Sequence, residues 1–333
     1  MALLFCDGFD HYATADIPLK WNDNASGFSS IGAGGRNSNA VLLSGGGGGY
    51  TKRTCPNASG DTVIVGFAYK PTNLGWDRLF RIDTLNAINA FMLVQSTGRL
   101  NVVFPGGTMM STTAPLILNT WVYLELKVVI ANAGSATLRA NGEVIGTFSG
   151  DTQAGATATW DQVGFGQSGV GEAGGYIDDF YVCDGTGATN NDFLGDIRVQ
   201  SILPSGAGNT TQMTPSAGSN YACVDEAAPN GDTDYVSETT AGEKDTYAFG
   251  NLTSTSGTIK GVQVLINARK DDAGSRSIAP VYRPVSTDYD GTTVSVSDSY
   301  AYLREITEVS PATSAAWTIA EINGAEFGVT LKA

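Results

Sequence analysis

The segment Gly174–Gly187, GGYIDDFYVCDGTG, places two adjacent carboxylates, Asp178 and Asp179, inside an aromatic and β-branched run. Two acidic residues can flank a glycosidic bond, or they can share a calcium ion with loop carbonyls. Neighbouring residues of a β-strand point to opposite faces, so the pattern predicts that the two carboxylates diverge and cannot act on one bond. We therefore expect a structural pair, in which one carboxylate accepts backbone N–H bonds from a neighbouring loop. A calcium ion bound by Asp178 or Asp179 is the alternative.

Other patterns that can carry chemistry have ordinary structural explanations. His11, the single histidine, has no G-x-S-x-G or other nucleophile context, so we expect a surface or hydrogen-bonded side chain. Gly164–Gly169 matches G-x-G-x-x-G, but a helix does not follow it, so a dinucleotide site is not expected. Asn230–Asp234 and Asp288–Gly291 bring oxygen ligands together without EF-hand spacing. Asx turns explain both, with calcium as the alternative. We predict no organic cofactor.

Exposed aromatic rings are the remaining candidates for a binding surface. Trp76, Tyr50 and Tyr69 lie near predicted loops or strand ends, where a ring could form a platform for a sugar. Packing in the core is the default for any one of them. We take Trp76 and Tyr50 as the candidate glycan-binding residues.

The composition limits the classes of partner. The 333-residue chain carries a net charge of −14 and has no cluster of Lys and Arg, so nucleic acid and anionic membrane surfaces are unlikely partners by charge. No stretch approaches the roughly 18 apolar residues that span a bilayer, so we predict no membrane insertion. The first residues, MALLFCDGFDHY, lack the basic and long apolar regions of a signal peptide, so we expect synthesis in a cytoplasm.

The cysteines favour a reduced protein without a zinc site. Cys6, Cys55, Cys183 and Cys223 form no C-x-x-C pair, and one histidine cannot complete the usual ligand sets. A chain of this length does not need disulfides to be stable, so we expect free and mostly buried thiols.

Strand patterns dominate the first half of the chain. Runs rich in β-branched and aromatic residues, such as Thr62–Lys70 and Thr120–Ile130, alternate with Gly, Asn and Pro turns. Asn141-Gly142 is a strong signal for a two-residue hairpin turn. Before Gly195 no stretch shows the 3.6-residue period of a helix. These features predict an antiparallel β-sandwich.

A turn-rich stretch, Asp184–Asp196, indicates a domain boundary, and we assign domains to residues 1–195 and 196–333. In the second domain, Ile259–Lys270 alternates with Val262, Val264 and Ile266 on one side. A short helix is predicted around Thr318–Ile322, followed by a final strand. The predicted fold class is therefore all-β, with tandem antiparallel sandwiches, the second smaller and containing at most a short helix.

Three segments of the first domain resemble the concanavalin A-like, or laminin G-like, jelly roll. They are the opening LLFCDGFDHY…KW, the run TWVYLELKVVI…ATLRANGEVIG, and WDQVGFG…GGYIDDFYVCD. Laminarinase-like glycosidases of this fold carry E-x-D-x-E on one strand. Here Glu125 is followed two residues later by Lys127, so the hydrolytic residues have no matching positions. We therefore expect a protein that is not an enzyme.

The whole chain resembles virion proteins of tailed bacteriophages, through its opening residues, IDDFYVCDGTGATNNDFLGDIRV and the ending PATSAAWTIAEINGAEFGVTLKA. This resemblance implies a structural component of the virion, in the tail tip or a tail fibre, that contacts other virion proteins. Self-association as a trimer and contact with a host surface polysaccharide are further expectations. The alternatives are a capsid decoration or head-fibre protein, and a carbohydrate-binding module or polysaccharide-degrading enzyme.

Overall fold

The computed structural model describes residues 2–25, 29–36, 41–44, 49–56, 58–75, 77–84, 87–166 and 174–333. Within these residues every paired strand is antiparallel, and the predicted all-β class is confirmed. The chain divides into two compact units, Met1–Val199 and Gln200–Ala333. The structural division thus follows Val199, whereas the sequence-based boundary follows Gly195.

The first unit contains fifteen strands and one short α-helix among its described residues, with 3-10 turns at Thr14–Asp16 and Pro105–Gly107. In chain order these are β1 Leu3–Asp7, α1 Ile17–Trp21, β2 Asp23–Ala25, β3 Ser29–Gly32, β4 Val41–Ser44, β5 Tyr50–Thr54, β6 Thr62–Pro71, β7 Asp77–Thr84, β8 Ala87–Val94, β9 Leu100–Val103, β10 Met109–Ser111, β11 Val122–Val129, β12 Gly134–Ala140, β13 Glu143–Gly150, β14 Gln162–Gly166 and β15 Gly175–Cys183.

These strands form two sheets in the described part of the unit. The first sheet has the order β13-β12-β11-β6-β15-β4-β3, with β1 also paired to β15, and the second has the order β10-β9-β8-β7-β14-β5-β2. The predicted hairpin turn joins β12 to β13. Asn141 and Gly142 both have positive φ angles, 51° and 86°, as a type I′ turn requires.

An aromatic cluster fills the space between the two sheets. Phe67 and Phe180 of the first sheet meet Phe165 of the second, with ring centroids 5.2 and 5.3 Å apart. Phe80 and Trp21 extend the cluster at 5.4 and 5.6 Å from Phe165. All five rings are fully buried. Because side chains alternate along a strand, this inward set fixes which residues of each sheet face outward.

A buried polar group ties the N-terminal segment to this cluster. The carboxylate of Asp7 accepts hydrogen bonds from Lys20 Nζ at 2.9 Å, Trp21 Nε1 at 2.7 Å and Tyr12 Oη at 2.7 Å. Burial raises the pKa of Asp7, but the charge of Lys20 and the hydrogen bonds from Tyr12 and the Phe9 N–H outweigh it, so the pKa lies below its usual value. The ion pair is almost completely excluded from solvent. Such a pair depends on both partners, because either charge alone would be buried without compensation.

The second unit contains ten strands and one short helix, with a 3-10 turn at Asn220–Cys223. They are β16 Pro204–Thr211, β17 Thr214–Pro215, β18 Val236–Ser237, β19 Lys244–Phe249, β20 Val262–Ala268, β21 Arg276–Arg283, β22 Tyr289–Asp290, β23 Val294–Val296, β24 Ala301–Thr307, α2 Ile319–Gly324 and β25 Glu326–Leu331.

A six-stranded sheet, β16-β19-β25-β21-β22 with β23 on β21, is the main layer of this unit. The pair β20-β24 packs against it, and Val262, Val264 and Ile266 contact the core as their alternation predicts. The predicted short helix is also confirmed. Thr318 caps α2 by accepting a hydrogen bond from the Glu321 N–H at 3.1 Å.

We predict that Asp7→Asn destabilises the first unit by about 3 kcal/mol or more, because it leaves the Lys20 ammonium buried without a counter-charge. Denaturant unfolding of the full chain measures this, with the exposed Asp151→Asn as the matched control. The double variant Asp7→Asn/Lys20→Met should be more stable than the sum of its single changes implies. A loss no larger than that of the control would contradict the role given to the pair.

Candidate functional site

A β-bulge changes the orientation predicted for Asp178 and Asp179. Asp178 pairs with Ala68 and Tyr181 with Gly66, so Asp179 and Phe180 together oppose Phe67. Asp179 adopts a left-handed conformation, with φ 52°. The extra residue turns Phe180 into the core and brings both carboxyl groups to Arg36. The prediction that the two carboxylates diverge is therefore wrong, because strict alternation does not continue through a bulge.

Both carboxylates nonetheless hold neighbouring backbone in place by accepting hydrogen bonds. Asp178 Oδ2 accepts the backbone N–H of Arg36 at 2.7 Å, and Asp179 Oδ1 accepts that of Val199 at 2.8 Å. The guanidinium of Arg36 lies 3.6 Å from Asp179 Oδ2. The two acids are only 1% and 2% exposed, so a polysaccharide cannot reach them. Burial, and then the charge of Asp178, raise the pKa of Asp179 to about 7.

The central part of this outer surface of the first sheet is covered by the chain itself. Tyr181 crosses β6 above Gly66, where a Cβ atom would lie 2.1 Å from the tyrosine ring. Its hydroxyl donates to Glu125 Oε1 at 2.6 Å, and the same oxygen accepts the Gly195 N–H at 2.8 Å. Residues 194–199 are thereby held on the sheet, which explains why the first unit extends to Val199. Glu125, on the strand where the resemblance would place catalytic acids, is 1% exposed.

The outer surface of the second sheet has a different character. Phe80, Ile82 and Phe165 point into the core, so the alternate residues of the same strands point away from it. We call this surface the cationic face, and its principal side chains are Tyr50, Lys52, Arg78, Arg81, Asp83 and Phe91.

Strand β14 lies at the centre of this face and presents Gly164 and Gly166 there, with Gln162 beside Asp83 at its start. A Cβ atom on Gly164 would lie 3.0 Å from the Lys52 side chain, which leans across β14 towards Asp83 on β7. Lys52 Nζ reaches Asp83 Oδ2 at 3.7 Å, and Arg81 Nε contacts the same oxygen at 2.7 Å. The absence of a side chain at Gly164 therefore allows an ion pair to span three strands.

Cations lie against both aromatic rings of the face. Lys52 Nζ is 4.3 Å from the centre of the Tyr50 ring, and the Arg78 guanidinium is 3.8 Å from that of Phe91. A hydrogen bond to Asp23 raises the pKa of the Tyr50 hydroxyl. A sugar has an apolar ring face and a rim of hydroxyl groups. An aromatic ring can pack against the first, and a charged donor beside it can bind the second.

Arg78 and Arg81 share this face because of a second bulge. Arg78 pairs with Leu93 and Phe80 with Met92, so Leu79 is the extra residue. Three positions apart, Arg78 and Arg81 would otherwise point to opposite sides of β7. Sequence reasoning missed Lys52, Arg78 and Arg81, since alternation alone does not place them together. The RLFRID pattern of Arg78–Asp83 signals charged residues on a strand but not their common face.

The other residues singled out from the sequence are placed as follows. Tyr50 lies on the cationic face, whereas Trp76 falls outside the described residues. Tyr69 is fully buried and cannot form a surface platform. His11 Nε2 lies 2.6 Å from Lys20 Nζ, so that nitrogen accepts a hydrogen bond from the ammonium. Burial, and then the charge of Lys20, lower the pKa of His11 to about 3, as expected for a hydrogen-bonded neutral imidazole.

Both acidic turns of the second unit already contact donors. In Asn230–Asp234, the Asn230 side chain donates to Glu226 at 3.0 Å and to Asp234. In Asp288–Gly291, Asp288 pairs with Lys244 and Arg283 at 2.9 and 2.7 Å. Throughout the described ranges, no group of three or more His, Cys, Asp or Glu side chains is placed to hold a metal ion.

Two further properties of the described residues bear on the sequence analysis. The four cysteines are free thiols, and burial raises the pKa of Cys6 and of Cys55 to about 12. No described helix combines the length and the apolar character needed to cross a bilayer.

A smaller aromatic group lies at one end of the first sheet. Lys70 Nζ is 4.5 Å from the Tyr176 ring and 5.2 Å from the Trp121 ring. These residues are half-buried and follow one another across β15, β6 and the start of β11. Like the cationic face, this group places a lysine against aromatic rings, but on the first sheet.

Comparison with known proteins finds distant structural likeness only. No family model and no curated protein matches the sequence. An endo-β-1,4-glucuronan lyase from the fungus Trichoderma reesei is similar at 11% identity and a TM-score of 0.41, covering 54% of this chain and 94% of its own. A PL-14 alginate lyase from Aplysia kurodai, at 11% identity, has a TM-score of 0.42 and covers 55% and 99%. At these values the likeness carries no argument about function.

The raised pKa of Asp179 predicts a pH dependence of stability. Between the ordinary value near 4 and about 7, the folded state binds more protons at this site than the unfolded state, so the free energy of unfolding falls as pH rises. A shift of about 3 pKa units corresponds to about 4 kcal/mol. Asp179→Asn keeps an acceptor for the Val199 N–H and should remove this contribution.

Denaturant unfolding of the full chain from pH 4 to 7 tests this prediction, with Asp151→Asn as the control. The stability difference between Asp179→Asn and the unchanged chain should shift in favour of the variant as pH rises. A difference that stays constant across the range would contradict the protonation assigned to Asp179.

Proposed function

We propose that the first unit is a glycan-binding module whose ligand lies across the cationic face. The observation that carries the proposal is the part of the cationic face at Gly164 on β14, where no side chain covers the strand. It is bordered by Tyr50 and Lys52 on one side and by Arg78 and Arg81 on the other. Aromatic rings can pack against sugar rings there, and the charged donors can bind hydroxyl or acidic groups. By contrast, residues 194–199 cover the central acidic part of the first sheet.

The proposed role is binding rather than hydrolysis. A glycosidase needs two carboxyl groups on either side of the scissile bond. Asp83 is 3% exposed and is paired with Arg81 and Lys52. Asp161, whose pKa is raised by burial and then by Asp83, is the other acid near it. If the purified chain released new reducing ends from a polysaccharide, the proposal of binding without hydrolysis would be overturned, and Asp83 and Asp161 would be tested first.

The resemblance to tailed-phage virion proteins supports a location for this module. We propose that the chain is displayed on the outside of a virion, in a tail tip or fibre, with the second unit as a further structural module. Self-association as a trimer and contact with other virion proteins belong to the same proposal. Immunogold labelling of intact virions should mark the tail. Labelling of the head would favour the decoration protein, and no labelling of particles that contain all tail proteins would contradict a virion location.

Tyr50→Ala should weaken glycan binding by about tenfold, the loss expected for removing one central aromatic contact. A glycan array followed by calorimetry with the full chain measures this, and unchanged unfolding curves show that the variant is folded. Trp121→Ala, in the aromatic group of the first sheet, is the matched control and should keep its affinity.

Two outcomes would count against the proposal. Loss of binding in Trp121→Ala with retention in Tyr50→Ala would place the ligand on the first sheet. The absence of binding to every glycan tested, including polysaccharides of the host envelope, by a folded protein would contradict a glycan-binding role.

A further inference from the structure

Arg78 differs from the other cations of the cationic face. Lys52 and Arg81 both contact Asp83, whereas none of the carboxylates whose side chains the structure describes lies within ion-pair distance of the Arg78 guanidinium. One of its terminal nitrogens is buried and has no hydrogen-bond acceptor among the described atoms. A cation that is partly removed from water and lacks a counter-charge is energetically costly, and it gains from the arrival of an anion.

The surroundings of Arg78 hold the guanidinium in position. It stacks on Phe91, 3.8 Å from the ring centre, so its plane is fixed before a ligand arrives. Burial, and then the charge of Arg81, lower the pKa of Arg78, and the charge of Asp83 offsets this only in part. Asp83 and Asp161 lie beyond Arg81, at the opposite end of this part of β7. The charged side chains that the structure describes at this end of the face are therefore the cations Arg78 and Arg81, in a chain of net charge −14.

We infer that the ligand of the cationic face is an acidic polysaccharide containing uronic acid, and that Arg78 binds one of its carboxylates. This inference rests on the proposed glycan-binding function and specifies its ligand class. A guanidinium presents parallel N–H donors that match the two oxygens of a carboxylate. The neighbouring rings of Phe91 and Tyr50 provide the apolar contacts that a sugar ring requires.

The test compares three polymers with the full chain by calorimetry. They are a polyuronate, the same polymer after chemical reduction of its carboxyl groups, and a sulfated neutral glucan. The polyuronate should bind at least about tenfold more tightly than its reduced form, and added salt should weaken its binding. The sulfated glucan should bind more weakly than the polyuronate.

Variants at Arg78 decide whether this residue accounts for the preference. Arg78→Gln should bind the polyuronate and its reduced form equally, and Arg78→Lys should retain only part of the preference, since it keeps the charge but loses the planar donors. Arg139→Gln is the matched control, because Arg139 also stacks on a phenylalanine, Phe193, at 4.0 Å, but on the first sheet. It should keep the full preference.

The outcomes separate this inference from the proposed function. Equal binding of the polyuronate and its reduced form by the unchanged chain would overturn the inference and leave glycan binding intact. A preference for the sulfated glucan, or a polyuronate preference that survives in Arg78→Gln, would also overturn it. If none of the polymers and no other glycan binds, the proposed function fails together with the inference.

Discussion

The contact between Phe67 and Phe180 of one sheet and Phe165 of the other is the interaction on which the first unit depends. Burying these rings fixes the inward side of β6, β15 and β14, and alternation then places the outward residues of these strands, except at the bulge of β15. The two outward surfaces follow from this constraint but differ in what covers them. One is occupied centrally by residues 194–199, and the other carries the cationic face.

In each sheet, a glycine on one strand allows side chains of the two neighbouring strands to contact each other across it. Gly66 lets Tyr181 reach Glu125 over β6, and Gly164 lets Lys52 reach Asp83 over β14. The first contact holds the chain against its own sheet and closes the surface. The second pairs Asp83 with Lys52 and Arg81, and among the cations of the cationic face it leaves Arg78 without a described ion-pair partner. A glycine at the middle of a strand thus helps to form a covered surface on the first sheet and a candidate binding surface on the second.

The fold was largely predictable from local sequence patterns, whereas the candidate site was not. The turn at Asn141-Gly142, the alternation of Val262, Val264 and Ile266, and the helix capped by Thr318 were all predicted from short-range signals. Bulges at Asp179 and Leu79 were not, because a single inserted residue is decided by packing with neighbouring strands. Each bulge reverses the side on which later residues lie. The orientation of the Asp178–Asp179 pair and the meeting of Arg78 with Arg81 therefore required the three-dimensional structure.

The central claim is that an acidic sugar contacts Arg78 on the outer surface of the second sheet. A crystal structure of the full chain with a short oligouronate tests this most directly. The account predicts a sugar carboxylate within hydrogen-bond distance of the Arg78 guanidinium, with sugar rings beside Phe91 and Tyr50. An oligouronate bound instead beside Lys70, Tyr176 and Trp121, or bound on the second sheet with its carboxylates turned away from Arg78, would contradict the account.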